Sequence, residues 1–593
     1  MLSLRALVLG LALNVIFTIL NSYLGINFGM GFGYGLITLL LVYVLFHKRN
    51  GSTKQEAVVA IIASSGYFMT WSLAIAMYIR VNDPGNDLPT WFVPSKDVLI
   101  SGSMFDPAWL IPIMVHSFIT FAAIFLGVII ALAVSDLILQ DKKLTFPFAR
   151  VTSVLIDTFF SADGRARLVT IWIVMGVLLT FLQYLLKGMG FETLLYDFTP
   201  QLPYGFSFGI LINIGIMAVS YIIDPAMTLT ILFLGILYYF AIAPYIVKLG
   251  LFPPADNAND YYMNMLFNFS LSPGLGAFIL SGPIIMLVKL IKKKISGKET
   301  VQDKELETDN DDSFVRTNLL NFSKTLFRNL AGRKILGISY VSLVIAYLLF
   351  IVILNIFYPL SLITSVMLTL AFLVPIAIID IFILIKMRGE IGMTFGAHRL
   401  IMYEGVIYGV GYRKFLGYLS YPISDPWMSS ALIYWFKLGE LTNTDKKAIL
   451  ITFIIRLIPV YFTSLFFILM VWYTVGIPSE MMPAISIIQM YAIVKTFATA
   501  GFGTFLNPFT FLLGGLISGV LGALTPISPI GIALVLFLPP TYIIPFGVGG
   551  LLRLYTDRKY GKKWYHEKGQ YIASGFTVGA LLTQIALSLL IFA

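Results

Sequence analysis

The 593-residue sequence contains no cysteine, which excludes disulfide bonds, thiolate metal sites, iron–sulfur clusters and cysteine nucleophiles. It has only four histidines, and none of them falls in the His-Glu-x-x-His spacing of zinc peptidases. The sequence also lacks a Gly-x-Ser-x-Gly nucleophile motif and a Walker phosphate-binding loop. These absences argue against an enzyme and against ATP as a direct energy source, and they leave no motif that would hold a cofactor or a metal.

Charge is also scarce, because only 12% of the residues are charged whereas 58% are hydrophobic. A soluble protein carries about 25% charged residues, so the composition predicts a membrane protein. One transmembrane helix takes about 20 apolar residues. We therefore expect an all-α polytopic membrane protein with about 14 to 16 transmembrane helices, arranged in two halves with short re-entrant or broken helices.

The net charge of +10 does not require a nucleic-acid partner, because cytoplasmic loops of membrane proteins are enriched in Lys and Arg. Arg5 precedes an apolar stretch that is not followed by the small residues of a signal-peptide cleavage site. This stretch is therefore predicted to be a retained first helix. Residues 81–106 are acidic and predicted to be external. The N-terminus and the basic loop after His47 are then cytoplasmic, and we expect a multi-pass protein of the plasma membrane.

Residues 292–334 hold 17 of the 70 charges of the chain. Such a run predicts a solvated, partly disordered cytoplasmic linker. It separates a first transmembrane half, 1–291, from a second, 335–593. A third span is predicted between Glu56 and the acidic loop, and later spans are predicted at 168–186, 206–223, 226–247, 270–291, 335–357, 360–385, 448–474, 483–500, 508–526, 529–552 and 570–592.

Two short segments suggest a transport pathway. Thr145-Phe146-Pro147 opens a short helix in the first half, and Ser420-Tyr421-Pro422 opens another in the second. Paired short or broken helices at matching positions are typical of secondary transporters. We predict that 144–160 and 418–437 do not span, and that their N-terminal ends face a central cavity, where helix N-termini favour a carboxylate. The local alternative is that proline simply suits the first turn of any helix.

Ionisable residues inside apolar runs point to function, because a charge in hydrocarbon is costly without water or a partner. We expect Glu404, or else Asp380, to carry a coupling proton, with Asp136 as a further acid. Arg456 and Lys495 are candidates to hold a substrate carboxylate. The alternatives are a static Glu404–Arg456 pair, a structural pairing of Arg456 or Lys495 in general, and interfacial positions for Asp136, Asp224 and Asp380. His116 and Asp224 complete the set.

Five blocks of sequence resemble the oligopeptide transporter superfamily, which includes the yellow-stripe-like metal-chelate carriers. The first is Asn21-Ser-Tyr23-Leu-Gly25-Ile-Asn-Phe-Gly29, which is similar to the Asn-x-Tyr-x-Gly-x-x-x-Gly signature of these proteins. The others follow in the family order: Ala63-Ser-Ser-Gly66, Leu144-Thr-Phe-Pro-Phe-Ala149, Phe436-Lys-Leu-Gly-Glu440 and the segment 531–579. The resemblance spans nearly the whole chain, and the order and spacing of the blocks carry it.

The resemblance implies a carrier driven by an ion gradient, usually of protons, that moves small peptides or metal-chelate conjugates inward. We take Asn21, Tyr23, Arg456, Gln489 and Lys495 as the candidate substrate-binding residues. Family members commonly place Asn and Gln just before the Ala-Ser-x-Gly block, but residues 57–60 are Ala-Val-Val-Ala here. A channel or membrane scaffold without ion-coupled transport remains the alternative.

Overall fold

The computed structural model describes residues 3–28, 35–47, 53–86, 88–141, 144–160, 165–188, 195–296, 318–357, 363, 366–367, 370, 372–392, 394, 425–479, 482–484, 486–488, 490–491, 495 and 507–590. This part is almost wholly helical. Six of its helices are long and apolar enough to cross a membrane, and one bent pair could add a seventh. The prediction of an all-α polytopic membrane protein with broken helices is confirmed.

The helices of the first part of the chain are α1 Leu4–Phe28, α2 Gly35–Val42, α3 Lys54–Ser64, α4 Trp71–Asn82, α5 Lys96–Ser101, α6 Leu110–Gln140, α7 Pro147–Phe160 and α8 Arg165–Gly188. A two-stranded antiparallel hairpin follows, with β1 Leu195–Asp197 paired to β2 Gly209–Leu211. Next come α9 Ile214–Ile222, α10 Pro225–Leu237, α11 Ala243–Lys248, α12 Ala258–Met265 and α13 Leu271–Ser296.

The remaining helices are α14 Leu319–Gly332, α15 Lys334–Phe357, α16 Ala377–Ile391, α17 Pro426–Thr442, α18 Lys446–Thr474, α19 Pro508–Leu524, α20 Pro529–Phe537, α21 Ile543–Tyr560, α22 Lys562–Trp564 and α23 Gln570–Leu590. Short 3-10 turns occur at Pro107–Trp109, Thr199–Gln201 and Pro540–Tyr542. Wider π turns occur at Tyr43–His47, Tyr238–Ile242, Leu266–Ser270, Phe372–Ile376 and Tyr565–Gly569.

Four helices begin with the same local chemistry, a short polar residue followed by proline. The polar side chain accepts a hydrogen bond from a backbone amide two or three residues later, and the proline takes the first helical position, where its missing N–H costs nothing. The pattern occurs at Asp224-Pro225, Asp425-Pro426, Asn507-Pro508 and Ser528-Pro529. Asp224 therefore serves as a helix cap.

The described chain divides into two compact units. The first contains residues 1–135, 325–381 and 402–502. Its centre is formed by α1, α3 and α18, which pack on one another, with α2 and α17 against α3. Thus helices from both ends of the sequence form one core.

The second unit contains residues 136–324, 382–401 and 503–593. Here α13 packs along α19, α8 packs along α23, and α21 contacts both α9 and α10. Glycine allows the closest approach, because a Cβ on Gly276 of α13 would overlap the Phe511 carbonyl oxygen of α19. Each unit contains segments from before and from after residues 292–334. The two predicted halves, 1–291 and 335–593, therefore describe the order of the chain and remain a prediction.

Several predicted elements need correction. The predicted span 206–223 is a strand followed by the nine-residue helix α9. The predicted span 529–552 is broken between α20 and α21. Within the predicted linker, α14 is an ordered helix that buries Phe322, Leu326 and Leu330 and meets α15 at a bend of 104°. An amphipathic pattern explains the difference, since these three residues lie on one helical face.

The two predicted short helices fare differently. The first is present as α7, which begins at Pro147 as expected. The described helix in the second region, α17, begins at Pro426 rather than Pro422, with Asp425 as its cap. Residues 418–424 lie outside the described residues.

Candidate functional site

The predicted third span is broken at residues 65–70, between α3 and α4. We call this stretch the 65–70 segment. Ser65 adopts an extended backbone with φ −66° and ψ 95°, which ends α3. Ser65, Gly66 and Tyr67 are half-buried, whereas Phe68 to Thr70 are buried. A break in a membrane helix is tolerated only where other groups satisfy its backbone or where it lines a cavity, so the partners of this segment identify its role.

Two asparagine side chains of α1 donate hydrogen bonds to the backbone carbonyl groups at the end of α3 and just after it. The amide nitrogen of Asn14 donates to the Ala63 oxygen at 2.9 Å and to the Ser65 oxygen at 3.3 Å. The amide nitrogen of Asn21 donates to the Gly66 oxygen at 2.8 Å. Both asparagines are buried on α1. They replace the helical hydrogen bonds that the break removes.

Arg456 of α18 reaches the same place. Its Nη1 donates to the Ser65 oxygen at 2.7 Å, and its Nη2 lies 3.5 Å from Met428 Sδ. The guanidinium lies over the Phe453 ring, 4.5 Å from its centroid, and the residue is only 3% exposed. The sequence therefore located a buried cation correctly, and the structure places it on the 65–70 segment.

The start of α4 is held by a single hydroxyl group of α18. Ser464 Oγ accepts from the backbone amides of Met69 at 3.2 Å and Thr70 at 3.3 Å. The Thr70 hydroxyl lies 2.8 Å from the same oxygen. The Thr70 side chain makes no capping hydrogen bond to α4. The amide groups of a helix N-terminus give it a partial positive charge, so this end is electropositive.

Glycine lets α1 and the 65–70 segment touch. A Cβ on Gly66 would lie against the backbone of Phe17 and Thr18, at 2.5 Å from Phe17 C. A Cβ on Gly25 would lie 2.8 Å from the Phe68 ring. The two sequence blocks that begin at Asn21 and Ala63 are therefore parts of one structure. Tyr23 is buried on α1 in the same block.

Lys495 lies elsewhere, at the C-terminal end of α4. Its Nζ is 3.4 Å from Asp83 Oδ2 and 3.0 Å from the Tyr491 hydroxyl, which itself donates to Asp83 at 2.9 Å. The Lys495 side chain is 52% exposed. Burial acts to raise the pKa of Asp83, but hydrogen bonds from Tyr491, the Gly85 amide and Lys495 outweigh it and lower the pKa. The geometry is that of an ion pair, which was the alternative to a substrate contact.

The predicted acids are placed as follows. Asp380 is 1% exposed in the first turn of α16. Asp136 is exposed near the end of α6. Glu404 and Gln489 lie outside the described residues, so the Glu404–Arg456 pair is not tested here.

Sequence reasoning missed Asn14 and Ser464. Asn14 had a usable signal, because it precedes Asn21 by seven residues, two helical turns, and therefore shares its face. Reasoning also left His116 without a partner. Its Nε2 lies 3.0 Å from the Phe92 carbonyl oxygen and its Nδ1 lies 3.4 Å from Ser72 Oγ. A carbonyl only accepts, so Nε2 carries a proton, and the ring joins the residues after α4 to its first turn.

The second unit has a comparable break with different chemistry. Where α20 ends, the Tyr239 hydroxyl donates to the Leu538 oxygen at 2.7 Å and the Tyr262 hydroxyl donates to the Phe537 oxygen at 2.8 Å. Phe537 and Leu538 are buried. This break is capped by neutral phenols inside an apolar core, whereas the 65–70 segment combines amides, a guanidinium and partial exposure.

Long apolar helices and a helix broken at a polar, partly exposed segment define an integral multi-pass membrane protein with the architecture of a transporter. The family described as OPT oligopeptide transporter protein matches residues 1–591. The chain therefore belongs to the OPT oligopeptide transporter family, whose members transport oligopeptides across membranes and are not enzymes. No individually curated protein gives a significant match.

Proposed function

We propose that the chain is a secondary active transporter that couples proton entry to the inward movement of small peptides or metal-chelate and amino-acid-like conjugates. The observation that carries this proposal is the 65–70 segment, a helix break held by Asn14, Asn21 and Arg456. Broken helices of this kind provide substrate sites in secondary transporters, because their ends offer oriented backbone groups at membrane depth.

In this proposal the substrate carboxylate binds at Arg456 and the electropositive start of α4. A guanidinium is always charged, carries five N–H donors and matches a carboxylate geometrically. The half-buried groups at Ser65, Gly66 and Tyr67 would then face the peptide backbone. Neither Lys495 nor Gln489 is needed for this step, although Lys495 supports the site indirectly by fixing the far end of α4 through Asp83.

The proton is assigned to a carboxyl group, Glu404 or Asp380. Loss of water favours the neutral acid, whereas a nearby cation favours the carboxylate. A substrate that occupies the cation would therefore help the acid to bind a proton. Solute and proton would then bind with mutual preference, as symport requires. Of the candidate acids that the structure describes, Asp380 is buried and Asp136 is exposed.

The test uses the purified protein in proteoliposomes with a labelled dipeptide or tripeptide mixture, with and without an inward proton gradient. We expect the gradient to drive accumulation. Asp380→Asn or Glu404→Gln should abolish accumulation and keep counterflow exchange at equal pH. Arg456→Gln should weaken both accumulation and counterflow exchange. Hydrogen bonds to a charged group contribute about 1.5–3 kcal/mol, so the apparent affinity for peptide should fall by about 10- to 150-fold.

Lys447→Gln provides the matched control, because Lys447 is exposed at the start of the same helix. Its transport should equal that of the wild type. Peptide that equilibrates but never accumulates would indicate a channel, and no peptide movement at all would favour a scaffold. Full gradient-driven accumulation by both acid variants would remove Asp380 and Glu404 as coupling residues.

A further inference from the structure

A strongly basic surface lies at the end of α21 and just beyond it, in residues 551–568, which we call the 551–568 surface. Its exposed cations are Arg558, Lys559, Lys562, Lys563 and Lys568. It contains two acids, of which Asp557 is bound to the neighbouring Arg553 at 3.0 Å. Within the described residues, none of the five exposed cations pairs with a carboxylate. The surface therefore carries excess positive charge available to an anionic ligand.

Two exposed tyrosine rings and a half-buried tryptophan ring lie among these cations. The Tyr560 and Trp564 rings stack at 5.2 Å with an interplanar angle of 23°. Lys559 Nζ is 3.0 Å from the Tyr555 hydroxyl and lies over both tyrosine rings, at 5.3 Å and 5.2 Å. Tyr555 and Tyr560 are more than half exposed. An exposed lysine thus sits between two aromatic rings.

The surface is firmly attached to its unit. Tyr565 is buried, its hydroxyl donates to the Ile222 oxygen at 3.3 Å, and the Arg553 guanidinium lies against its ring. The Tyr221 hydroxyl lies 2.8 Å from Thr556 Oγ1. These contacts fix the backbone on both sides of the exposed residues, so the cations are presented in a set arrangement.

The order of residue types along α21 identifies the environment. Leu551 and Leu552 are exposed and apolar, the exposed Tyr555 follows, and the exposed cations come last, whereas the earlier Arg553 is half-buried and paired with Asp557. From the hydrocarbon core through the interface to water, membrane proteins present apolar side chains first, then aromatic rings, and then Lys and Arg. This order fits cations placed at the depth of lipid headgroups.

We propose that the 551–568 surface is a binding site for anionic phospholipid, with the headgroup phosphate held by Lys559, Lys562 and Lys563 and the acyl chains alongside Leu551 and Leu552. The aromatic rings of Tyr555, Tyr560 and Trp564 form the interfacial part of the site. Charge complementarity selects an anionic over a zwitterionic lipid. Near an anionic membrane each Lys or Arg contributes about fivefold to binding. The proposal does not depend on the transported solute.

The test measures binding of fluorescent phosphatidylglycerol and phosphatidylcholine to the full-length protein in a neutral detergent. The test variant is Lys559→Gln/Lys562→Gln/Lys563→Gln. The control variant, Lys96→Gln/Lys248→Gln/Lys447→Gln, removes the same charge from exposed positions elsewhere. We expect the wild type to prefer phosphatidylglycerol, and the test variant to lose about 100-fold in affinity, from about fivefold per lysine. The control variant should keep the wild-type affinity.

Thermal unfolding and size-exclusion profiles show whether each variant is folded, and Lys563→Arg provides a second variant that should keep binding. Equal affinities for the two lipids in the wild type would overturn the proposal, as would equal losses in the test and control variants. Displacement of the lipid by millimolar inorganic phosphate, with the same lysine dependence, would show a site for free anions and also overturn it.

Discussion

Replacing Gly66 by alanine tests the arrangement of the 65–70 segment with a single methyl group. The added Cβ would lie 2.5 Å from Phe17 C and 2.9 Å from the Phe17 oxygen, where ordinary contact needs at least 3.4 Å. Both neighbours are backbone atoms, so no side chain can rotate away. Either α1 or the segment must move by about 1 Å. Overpacking of this kind costs about 1–3 kcal/mol.

The movement also affects a hydrogen bond. The Asn21 amide now lies 2.8 Å from the Gly66 oxygen, and a shift of about 1 Å carries this distance beyond the range of a hydrogen bond. Losing the bond while the Asn21 amide stays buried adds about 1–3 kcal/mol. We therefore expect Gly66→Ala to lower the free energy of unfolding by about 2–6 kcal/mol, the two contributions taken together, and to abolish peptide counterflow in folded protein.

The assay is denaturant unfolding followed by tryptophan fluorescence, together with counterflow in proteoliposomes. Gly85→Ala is the matched control in the same unit, because its Cβ would meet nothing closer than Asp83 Oδ1 at 3.5 Å. It should stay within about 0.5 kcal/mol of the wild type. If Gly66→Ala unfolds and transports like Gly85→Ala, then α1 does not hold the break as described.

Three further predictions follow from other features. The pKa of Asp83 is lowered in the folded protein. The ionised Asp83 therefore stabilises the fold fully above the unfolded pKa of about 3.9, and this contribution is lost as the pH falls through the folded pKa. The wild type should be more stable than Asp83→Asn at neutral pH, and the difference in free energy of unfolding should shrink in acid. Gly276→Ala should destabilise by about 1–3 kcal/mol in unfolding assays, whereas Gly332→Ala, which meets no neighbour within 4 Å, should not. A cysteine at Ser101, alone in this cysteine-free chain, should react with an impermeant maleimide from outside intact cells; labelling only after permeabilisation would reverse the orientation.

Composition predicted the fold class because 12% charged residues are too few for a soluble protein, whereas 58% hydrophobic residues suit membrane-spanning helices. Local signals also located α7, since proline at its first position is read directly from the sequence. The predicted span 206–223 failed for a physical reason. A short apolar run suits a strand as well as a helix, and only pairing with Leu195–Asp197 decides between them.

The break at residues 65–70 was out of reach for a similar reason. The surrounding run is largely apolar and contains no proline, and the small residues Ser64, Ser65 and Gly66 at its centre are tolerated in membrane helices, so periodicity predicts one continuous helix. The break depends on hydrogen bonds from Asn14, Asn21 and Arg456, which are about 45 to 390 residues away. Arg456 was predicted from its charge, but its contact with a backbone carbonyl follows only from tertiary structure.

The Ser65 carbonyl oxygen receives one hydrogen bond from α1 and one from α18. A hydrogen bond is kept only if its length changes by no more than a few tenths of an ångström. The position of the Ser65 oxygen therefore depends on the distance between α1 and α18. If α1 and α18 separate or slide, the oxygen can follow only one of them, and the backbone from Ser65 to Tyr67 must change shape. Any rearrangement of these helices is thereby converted into a change at the partly exposed surface between α3 and α4.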